Sequence, residues 1–325
     1  MKCKYFFLLL LFCLLAPTSI SAYSNRIAIG GDTIGIEVHS DGVYIVGFYK
    51  VHDKNIASNA GFEVGDIIVG IDSVETSSIA SLNPVLTESR EYQFHILRDG
   101  KNQMISFQPE WEDGVLKTGL YVKDSINGIG TLSYVDPNTK IYGSLGHEIL
   151  ESSSLQKFQL LNGSIYKAEV SSIKKSQDGV TGEKNAVIDK SSPVGSIFLN
   201  EVDGIFGSYK KDISHMEILD VAMPSEIVMG DASIRTVLSN HDIQDYSIEI
   251  IGIDEGDFTK NILFEIVDPK LLSKAGGIIQ GMSGSPILQD HKIIGVVNYV
   301  IVDESNKGYG IFITTMLEEG DKILS

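Results

Sequence analysis

The feature that most constrains the fold is a series of short apolar segments that fills the chain from Val115 onward. Gly, Asn and Asp turns separate these segments about every 8–12 residues, which is typical of a β-sandwich or β-barrel. Candidate strands include Gly130–Val135, Lys140–Ser144 and Lys292–Val302, and convincing amphipathic helices are few. The pattern therefore predicts a mainly β protein.

Length and composition indicate a globular protein of about two domains, since a domain usually spans roughly 100–200 residues. The chain has 325 residues, of which 43% are hydrophobic and 21% are charged. Its formal net charge of −17 repels phosphate backbones, so nucleic acid is excluded as a partner and anionic lipid is disfavoured. Basic peptide segments fit this charge, although solubility alone also explains it.

Residues 1–22 have the pattern of an export signal. Two lysines precede an apolar run from Tyr5 to Ala16, and small residues follow. The run is shorter than the roughly 20 residues of a membrane-spanning helix, so we expect a cleaved signal peptide, with an uncleaved signal anchor as the alternative. Both cysteines, Cys3 and Cys13, fall in this segment. The exported part is therefore expected to have no disulfide, no thiolate metal site and no cysteine nucleophile.

Residues 23–112 are predicted to form a domain of short strands with one helix. The string Ala60-Gly-Phe-Glu-Val-Gly-Asp-Ile-Ile68 leads from a small-residue turn into a buried strand, and a hairpin surrounds Asp99-Gly100. These features resemble a PDZ domain, which implies a groove that takes a peptide end as an added strand. A helix near Ser77 to Leu86 would flank the groove, and a spacer without a ligand is the alternative. The edge strand of the groove is expected at Ile34, Gly35, Ile36, Glu37 and Val38.

The second predicted domain, residues 113–325, contains the turn Gly281-Met-Ser-Gly-Ser-Pro286. A catalytic serine needs a turn that presents its hydroxyl and directs backbone N–H groups at the developing oxyanion. The string resembles the nucleophile loop of chymotrypsin-like peptidases, with Ser283 as the nucleophile and the N–H groups of Gly281 and Ser283 as the oxyanion hole. Met282 replaces an acid of that loop. Ser285 replaces a glycine and is a minor rival nucleophile.

Histidine is the usual base for serine attack, because its pKa lies near working pH. Of the seven histidines, His147 is the candidate, since it follows an apolar strand and a glycine in the first half of the second domain. The others fall in the PDZ-like part or in polar, turn-like surroundings: His39, His52, His95, His215, His241 and His291. The histidines have no metal-ligand spacing, and neither a metal nor a cofactor is implied.

Four strings together resemble the stage IV sporulation protein B peptidases: Gly128-Ile-Gly-Thr-Leu132, Leu145-Gly-His-Glu-Ile149, Val267-Asp-Pro-Lys-Leu-Leu272 and Gly276-Gly-Ile-Ile-Gln-Gly-Met-Ser-Gly-Ser-Pro-Ile287. The resemblance implies an exported serine endopeptidase in which a PDZ domain precedes a chymotrypsin-like double β-barrel. It also implies a triad of His147, Asp268 and Ser283, in which Asp268 would hold the imidazole in one tautomer. Asn298-Tyr299 stands where the family has Thr-His, so the resemblance does not predict which residues line the substrate pocket.

The resemblance further implies a role in endospore formation. Members of the family act between the two membranes of the developing spore, cleave the regulator of an intramembrane protease, and trim themselves near the N-terminus. We therefore expect a protein or peptide substrate, and an exported enzyme that is secreted, tethered by its N-terminal segment or peripherally associated with the membrane. Two alternatives stay open: a catalytically inactive protein that binds peptides through its PDZ-like groove, and a peptidase of envelope quality control.

Overall fold

The computed structural model describes residues 23–324, so the predicted export signal lies outside the described residues. Strands dominate the structure, which confirms the prediction of a mainly β protein. In chain order the strands are β1 (Arg26–Ile29), β2 (Thr33–Phe48), β3 (Ile67–Ile71), β4 (Val74–Glu75), β5 (Tyr92–Arg98), β6 (Lys101–Phe107), β7 (Glu110–Glu112), β8 (Val115–Lys117), β9 (Leu120–Val135), β10 (Ile141–Ser144), β11 (Leu160–Lys174), β12 (Gly182–Asp189), β13 (Gly195–Glu201), β14 (Gly204–Tyr209), β15 (Ile218–Val221), β16 (Gly230–Val237), β17 (Ile243–Ile253), β18 (Ile262–Ile266), β19 (Ile279–Gln280), β20 (Pro286–Gln289), β21 (Lys292–Val300) and β22 (Lys307–Phe312).

Helices are short and lie between the strands. They are α1 (Ile56–Asn59), α2 (Ile79–Leu82), α3 (Pro269–Ala275) and α4 (Ile313–Asp321), with single 3-10 turns at Pro224–Glu226 and Lys322–Leu324. None of the helices between residues 23 and 324 combines the length and the apolar character that crossing a bilayer requires.

Two closed barrels of antiparallel strands form the body of the protein. In the first, the hydrogen-bonded order is β9–β2–β11–β13–β14–β10, and β10 pairs with β9 to close the ring. In the second, the order is β16–β17–β18–β22–β21–β20, and β20 pairs with β16. Each barrel encloses its own apolar core, which includes Ile36 and Leu132 in the first and Phe264 and Ile287 in the second. The predicted double β-barrel is thus confirmed.

The PDZ-like unit is an insertion between β2 and β9. Its sheet consists of the second half of β2 with β3, β4, β5 and β6. Its core holds Phe62, Phe94 and Phe107, whose rings meet edge to face with centroids 5.2 to 5.7 Å apart. Both β2 and β9 are 16 residues long and continue from this unit into the first barrel. The unit is therefore attached to the barrel by two paired strands.

The strand predicted to form the edge of the PDZ groove is not an edge strand. Ile36 pairs with Gly128 of β9 on one side and with Ile165 of β11 on the other, and the rest of Ile34–Val38 is paired in the same way. The backbone hydrogen-bonding groups on both sides of this strand are already paired, so a peptide cannot add to it in this conformation. The predicted location of the groove strand is therefore wrong. The apolar pattern of the segment could not reveal this, because strands with free or paired edges can share the same side-chain alternation.

The pairing also corrects the predicted start of the PDZ-like unit at residue 23. The first half of β2, up to His39, pairs with β9 and β11 of the first barrel. The strand β1 pairs with β9 and with β15, which in turn pairs with β21 of the second barrel. The helix expected near Ser77 to Leu86 is the single turn α2, which begins after the N-cap residue Ser78. The first barrel therefore begins before the insertion and resumes after it.

Candidate active site

The turn that carries Ser283 connects β19 to β20 and depends on two glycines with positive φ. Gly281 has a φ of +92° and Gly284 a φ of +90°, a region that side chains disfavour. A Cβ atom at Gly284 would lie 2.3 Å from the carbonyl oxygen of Thr131 and 2.5 Å from the backbone nitrogen of Leu145. Glycine at this position therefore lets the serine turn pack directly against β9 and against the segment that leads to His147.

Backbone hydrogen bonds of the turn leave two particular N–H groups unused. The N–H of Met282 donates to Ile279, that of Gly284 to Val297, and that of Ser285 to Met282. Among the hydrogen bonds described for residues 23–324, none uses the N–H of Gly281 or of Ser283. These are the two groups predicted to bind the oxyanion, and an available donor is what that function requires.

The structure distinguishes the two serines of the turn. Ser283 is partly exposed, and its Oγ lies 3.5 Å from the carbonyl oxygen of Asn298. Ser285 is fully buried, and its Oγ faces the Oγ1 of Thr131 at 3.4 Å. A nucleophile must reach the substrate, so the geometry favours Ser283 over its rival.

The imidazole of His147 is oriented by its immediate neighbours. Its Nδ1 lies 2.8 Å from the carbonyl oxygen of Glu148, and its ring stacks on Tyr299 with centroids 5.9 Å apart and planes 26° apart. Because a carbonyl oxygen only accepts hydrogen bonds, this contact assigns the proton to Nδ1 and leaves the Nε2 lone pair for a base. Burial lowers the pKa of His147, which favours the neutral form that a base needs.

The strand β21 brings the serine and the histidine to one place. Asn298 contacts Ser283 through its carbonyl, and its side chain packs on Gly146, where a Cβ would lie 3.1 Å from that of Asn298. The next residue, Tyr299, holds the imidazole. The structure thus gathers Ser283 and His147 around Asn298-Tyr299, although no direct hydrogen bond joins the two side chains among the described contacts. A substrate-free site often shows such looser geometry.

Within residues 23–324 the structure describes no contact between Asp268 and His147, so it does not assemble the predicted triad. Asp268 is the N-cap of α3, and its carboxylate accepts hydrogen bonds from the N–H groups of Lys270 at 2.8 Å and Leu271 at 2.9 Å. A third N–H, that of Ser247, lies at 3.4 Å. Within residues 23–324, no hydrogen bond or ion pair connects Asp268 with the imidazole. An acid followed by proline at the first helical position is a common N-terminal signal, which explains why Asp268 is used there.

A cavity of about 350 Å³ lies beside the turn that carries Ser283, between β9 and β12. Its walls include Gly128 and Ile129 of β9, Lys184 of β12, and Gly281. The Lys184 side chain is almost fully buried, its Nζ donates to the Oγ1 of Thr236 at 2.9 Å, and its Cβ and Cδ face Gly281. Burial lowers the pKa of this amine to about 7.

Sequence reasoning missed two side chains that shape the site. Lys184 lies in a polar stretch in which a lysine would ordinarily be exposed, and the sequence marks Tyr299 only as a departure from the family pattern. Stacking of Tyr299 on the histidine required two distant segments to meet, which no local pattern could indicate. Between residues 23 and 324, no group of three or more His, Cys, Asp or Glu side chains is arranged to hold a metal ion.

Two family models match parts of this chain. Residues 114–317 match the family model described as SpoIVB peptidase S55, and residues 33–108 match that of the PDZ domain. No curated protein sequence matches the chain significantly. Among solved structures, the crystal structure of Rv3671c from M. tuberculosis H37Rv, a serine-to-alanine mutant in the inactive form, is 13% identical, with a TM-score of 0.32, and the match covers 60% of this chain and 82% of that chain.

Proposed function

Because this chain belongs to the SpoIVB peptidase S55 family and is therefore a serine peptidase, we propose that it is an exported endopeptidase that cleaves a membrane-associated regulatory protein during endospore formation. The observation that carries the catalytic part is the turn at Ser283, which presents a partly exposed hydroxyl beside two N–H groups that have no described hydrogen bond within residues 23–324. The nearby His147 has its Nδ1 engaged and its Nε2 available.

The chemistry follows from these positions. Ser283 Oγ attacks the carbonyl carbon of the scissile peptide bond while Nε2 of His147 accepts the hydroxyl proton. The negative charge that develops on the carbonyl oxygen is stabilised by the N–H groups of Gly281 and Ser283. The imidazolium then gives its proton to the leaving amine. Water, deprotonated by the same histidine, hydrolyses the acyl-enzyme and restores Ser283.

The histidine works in this scheme without a carboxylate partner. The carbonyl of Glu148 holds the Nδ1 proton, and Tyr299 restricts the ring plane. The carbonyl selects the tautomer that a general base requires and the stacking fixes the ring orientation, and these are the positioning roles that an acid plays in a triad. Burial lowers the pKa of His147, so the imidazole is neutral at neutral pH and ready to accept a proton.

The biological role rests on the family and on the N-terminal sequence. The family is named for SpoIVB, and its resemblance implies a substrate that restrains an intramembrane protease. We place the enzyme between the two membranes of the developing spore, secreted or tethered by residues 1–22, where it also cleaves itself near its N-terminus. The alternative of an inactive peptide-binding protein loses support, because the expected groove strand is paired on both sides.

A replacement experiment in an endospore-forming host tests this role. The native gene is exchanged for one encoding Ser283→Ala, with Ser285→Ala as the matched control, and cleavage of the regulator is followed by immunoblotting through sporulation. We expect the regulator to stay intact and the late mother-cell programme to be blocked only with Ser283→Ala. N-terminal sequencing of both variants reports self-cleavage. Normal cleavage and sporulation with Ser283→Ala would refute the proposal.

A further inference from the structure

We propose that Thr131 is a positioning residue that holds the two oxyanion-binding N–H groups in their working orientation. This inference rests on the catalytic site proposed above and adds a member to it. Thr131 lies on β9, in the first barrel, whereas the turn that it would hold belongs to the second barrel. The residue therefore sits where the two halves of the active site meet.

Thr131 binds two carbonyl groups of the serine turn at once. Its backbone N–H donates to the carbonyl of Ser283 at 3.0 Å, and its Oγ1 donates to the carbonyl of Gly281 at 2.8 Å. Thr131 is fully buried, so water does not compete for these bonds. Its own carbonyl accepts a hydrogen bond from the Oγ of Ser144 at 2.5 Å, which fixes β9 to the strand that leads to His147.

These bonds immobilise alternate peptide planes of the turn. The plane between Gly281 and Met282 is held at its oxygen by Thr131 and at its N–H by Ile279. The plane between Ser283 and Gly284 is held at its oxygen by Thr131 and at its N–H by Val297. Because peptide units are planar, fixing these two units restricts the rotation of the two that alternate with them.

The two remaining peptide planes carry the N–H groups of Gly281 and Ser283. Neither of these groups is restrained by a hydrogen bond of its own in the described turn. The plane of the Ser283 N–H is also held at its oxygen, because the Met282 carbonyl accepts a hydrogen bond from the N–H of Ser285 at 2.9 Å. The direction of the Gly281 N–H therefore depends more on its neighbouring plane and, through that plane, on Thr131. Preorganised donors stabilise a developing oxyanion because no reorientation is needed at the moment of reaction. Loss of the Thr131 hydroxyl would free the Gly281 carbonyl and loosen the N–H of Gly281 first.

Ser133 provides a matched control on the same strand. It lies two residues beyond Thr131 and is equally buried. Within residues 23–324, its Oγ has no hydrogen-bond partner. Removing this hydroxyl deletes a buried polar atom near the same place without touching the serine turn. Any general effect of substituting a buried hydroxyl on β9 would appear in Ser133→Ala as well.

The test is the second-order rate constant with which a fluorophosphonate labels Ser283 in the folded full-length protein, well below the melting temperature of each variant. We expect Thr131→Val to label about tenfold to a hundredfold more slowly than the wild type, less than the loss of a whole oxyanion donor costs. Thr131→Ser, which keeps the hydroxyl, should restore the rate to within about threefold, and Ser133→Ala should equal the wild type. A purely structural role would lower the melting temperature but leave the labelling rate of the folded protein unchanged.

A wild-type labelling rate in folded Thr131→Val would overturn the inference. If Thr131→Val does not fold, Ser144→Ala decides, because the Ser144 hydroxyl holds the Thr131 carbonyl. A reduced rate in that variant supports the positioning role and an unchanged rate contradicts it. Failure of the wild type itself to be labelled at Ser283 would count against the proposed catalytic site instead, so the two failures are distinguishable.

Discussion

The turn that carries Ser283 and the loop that carries His147 are held in different ways. Hydrogen bonds from β9 and β21, two strands of different barrels, fix the turn. A carbonyl one residue away and one aromatic ring orient the histidine, and the acid expected to assist it caps a helix elsewhere. The comparison indicates that the oxyanion side of this site is built into the fold, whereas the base depends on local contacts.

The largest effect should come from removing either reacting side chain. Ser283→Ala and His147→Ala should each lower kcat by on the order of 10⁴-fold or more, because each removes the nucleophile or its base. The double variant should be scarcely slower than either single variant, since the two groups act as one unit. Steady-state kinetics on a peptide cleaved by the wild type measures this. Additive losses would mean that the residues act in separate steps.

The pH dependence of kcat/KM should show that His147 acts as a general base in its neutral form. The pKa of His147 is lowered from its ordinary value of 6.5 by burial, so kcat/KM should be level at neutral pH. Below that pKa it should fall about tenfold per pH unit, because the protonated imidazole cannot accept a proton. Asp268→Asn should leave this profile in place. A profile with its lower inflection above pH 6.5 would contradict the lowered pKa and would indicate a carboxylate bound to the imidazole, a contact that is not described within residues 23–324.

The buried amine of Lys184, which lies next to the turn that carries Ser283, should make the free energy of unfolding depend on pH. The folded pKa of about 7 lies below the ordinary value of 10.5, so between these values the unfolded chain binds the extra proton. The free energy of unfolding of the wild type should therefore rise with pH by up to about 1.4 kcal/mol per unit. Lys184→Met lacks this dependence. We expect the free energy of unfolding of Lys184→Met to exceed that of the wild type most below pH 7, and the difference to shrink as pH rises. Chemical denaturation at several pH values measures it.

The smallest effect on kcat should come from substitutions of Asp268. It is also the prediction that differs most from that of a catalytic triad. Asn is as good an N-cap as Asp, so Asp268→Asn should match the wild type in stability, and its kcat should change by less than about twofold. Asp268→Ala should lose about 1 kcal/mol of stability through the broken cap while the folded protein keeps its kcat. A triad acid would instead give a loss of about 10⁴-fold in Asp268→Asn.

Local patterns in the sequence were sufficient for the β architecture, the presence of a PDZ-like unit and the serine turn, but not for the insertion of that unit into the first barrel. The serine turn needs glycines with positive φ on both sides of the serine. Because this need concerns consecutive residues, it can be recognised in the sequence from Gly281 to Gly284. The short apolar segments at regular spacing predict a β-sandwich or β-barrel, and the family resemblance supplied the double barrel. These are the features whose physical cause lies within a few residues of the chain.

Features that depend on contacts between residues far apart in the chain could not be predicted from the sequence. Whether Ile34–Val38 has a free edge depends on β11, more than a hundred residues later in the chain. The ring that stacks on His147 likewise comes from β21, and the buried amine of Lys184 meets Thr236 of β16, more than fifty residues later in the chain. Asp268 differs, because its N-cap role was readable from the following proline and the helical residues after it. The resemblance to the family favoured the catalytic interpretation instead.

The most direct test of the account is to map the site of fluorophosphonate labelling on the full-length protein by peptide mass spectrometry. The account predicts a single labelled serine, Ser283, with no labelling in Ser283→Ala, strongly reduced labelling in His147→Ala and normal labelling in Asp268→Asn. Labelling at Ser285 would move the nucleophile within the turn. Loss of labelling in Asp268→Asn, with the protein folded, would contradict the two-residue mechanism and restore the acid that the family resemblance implied.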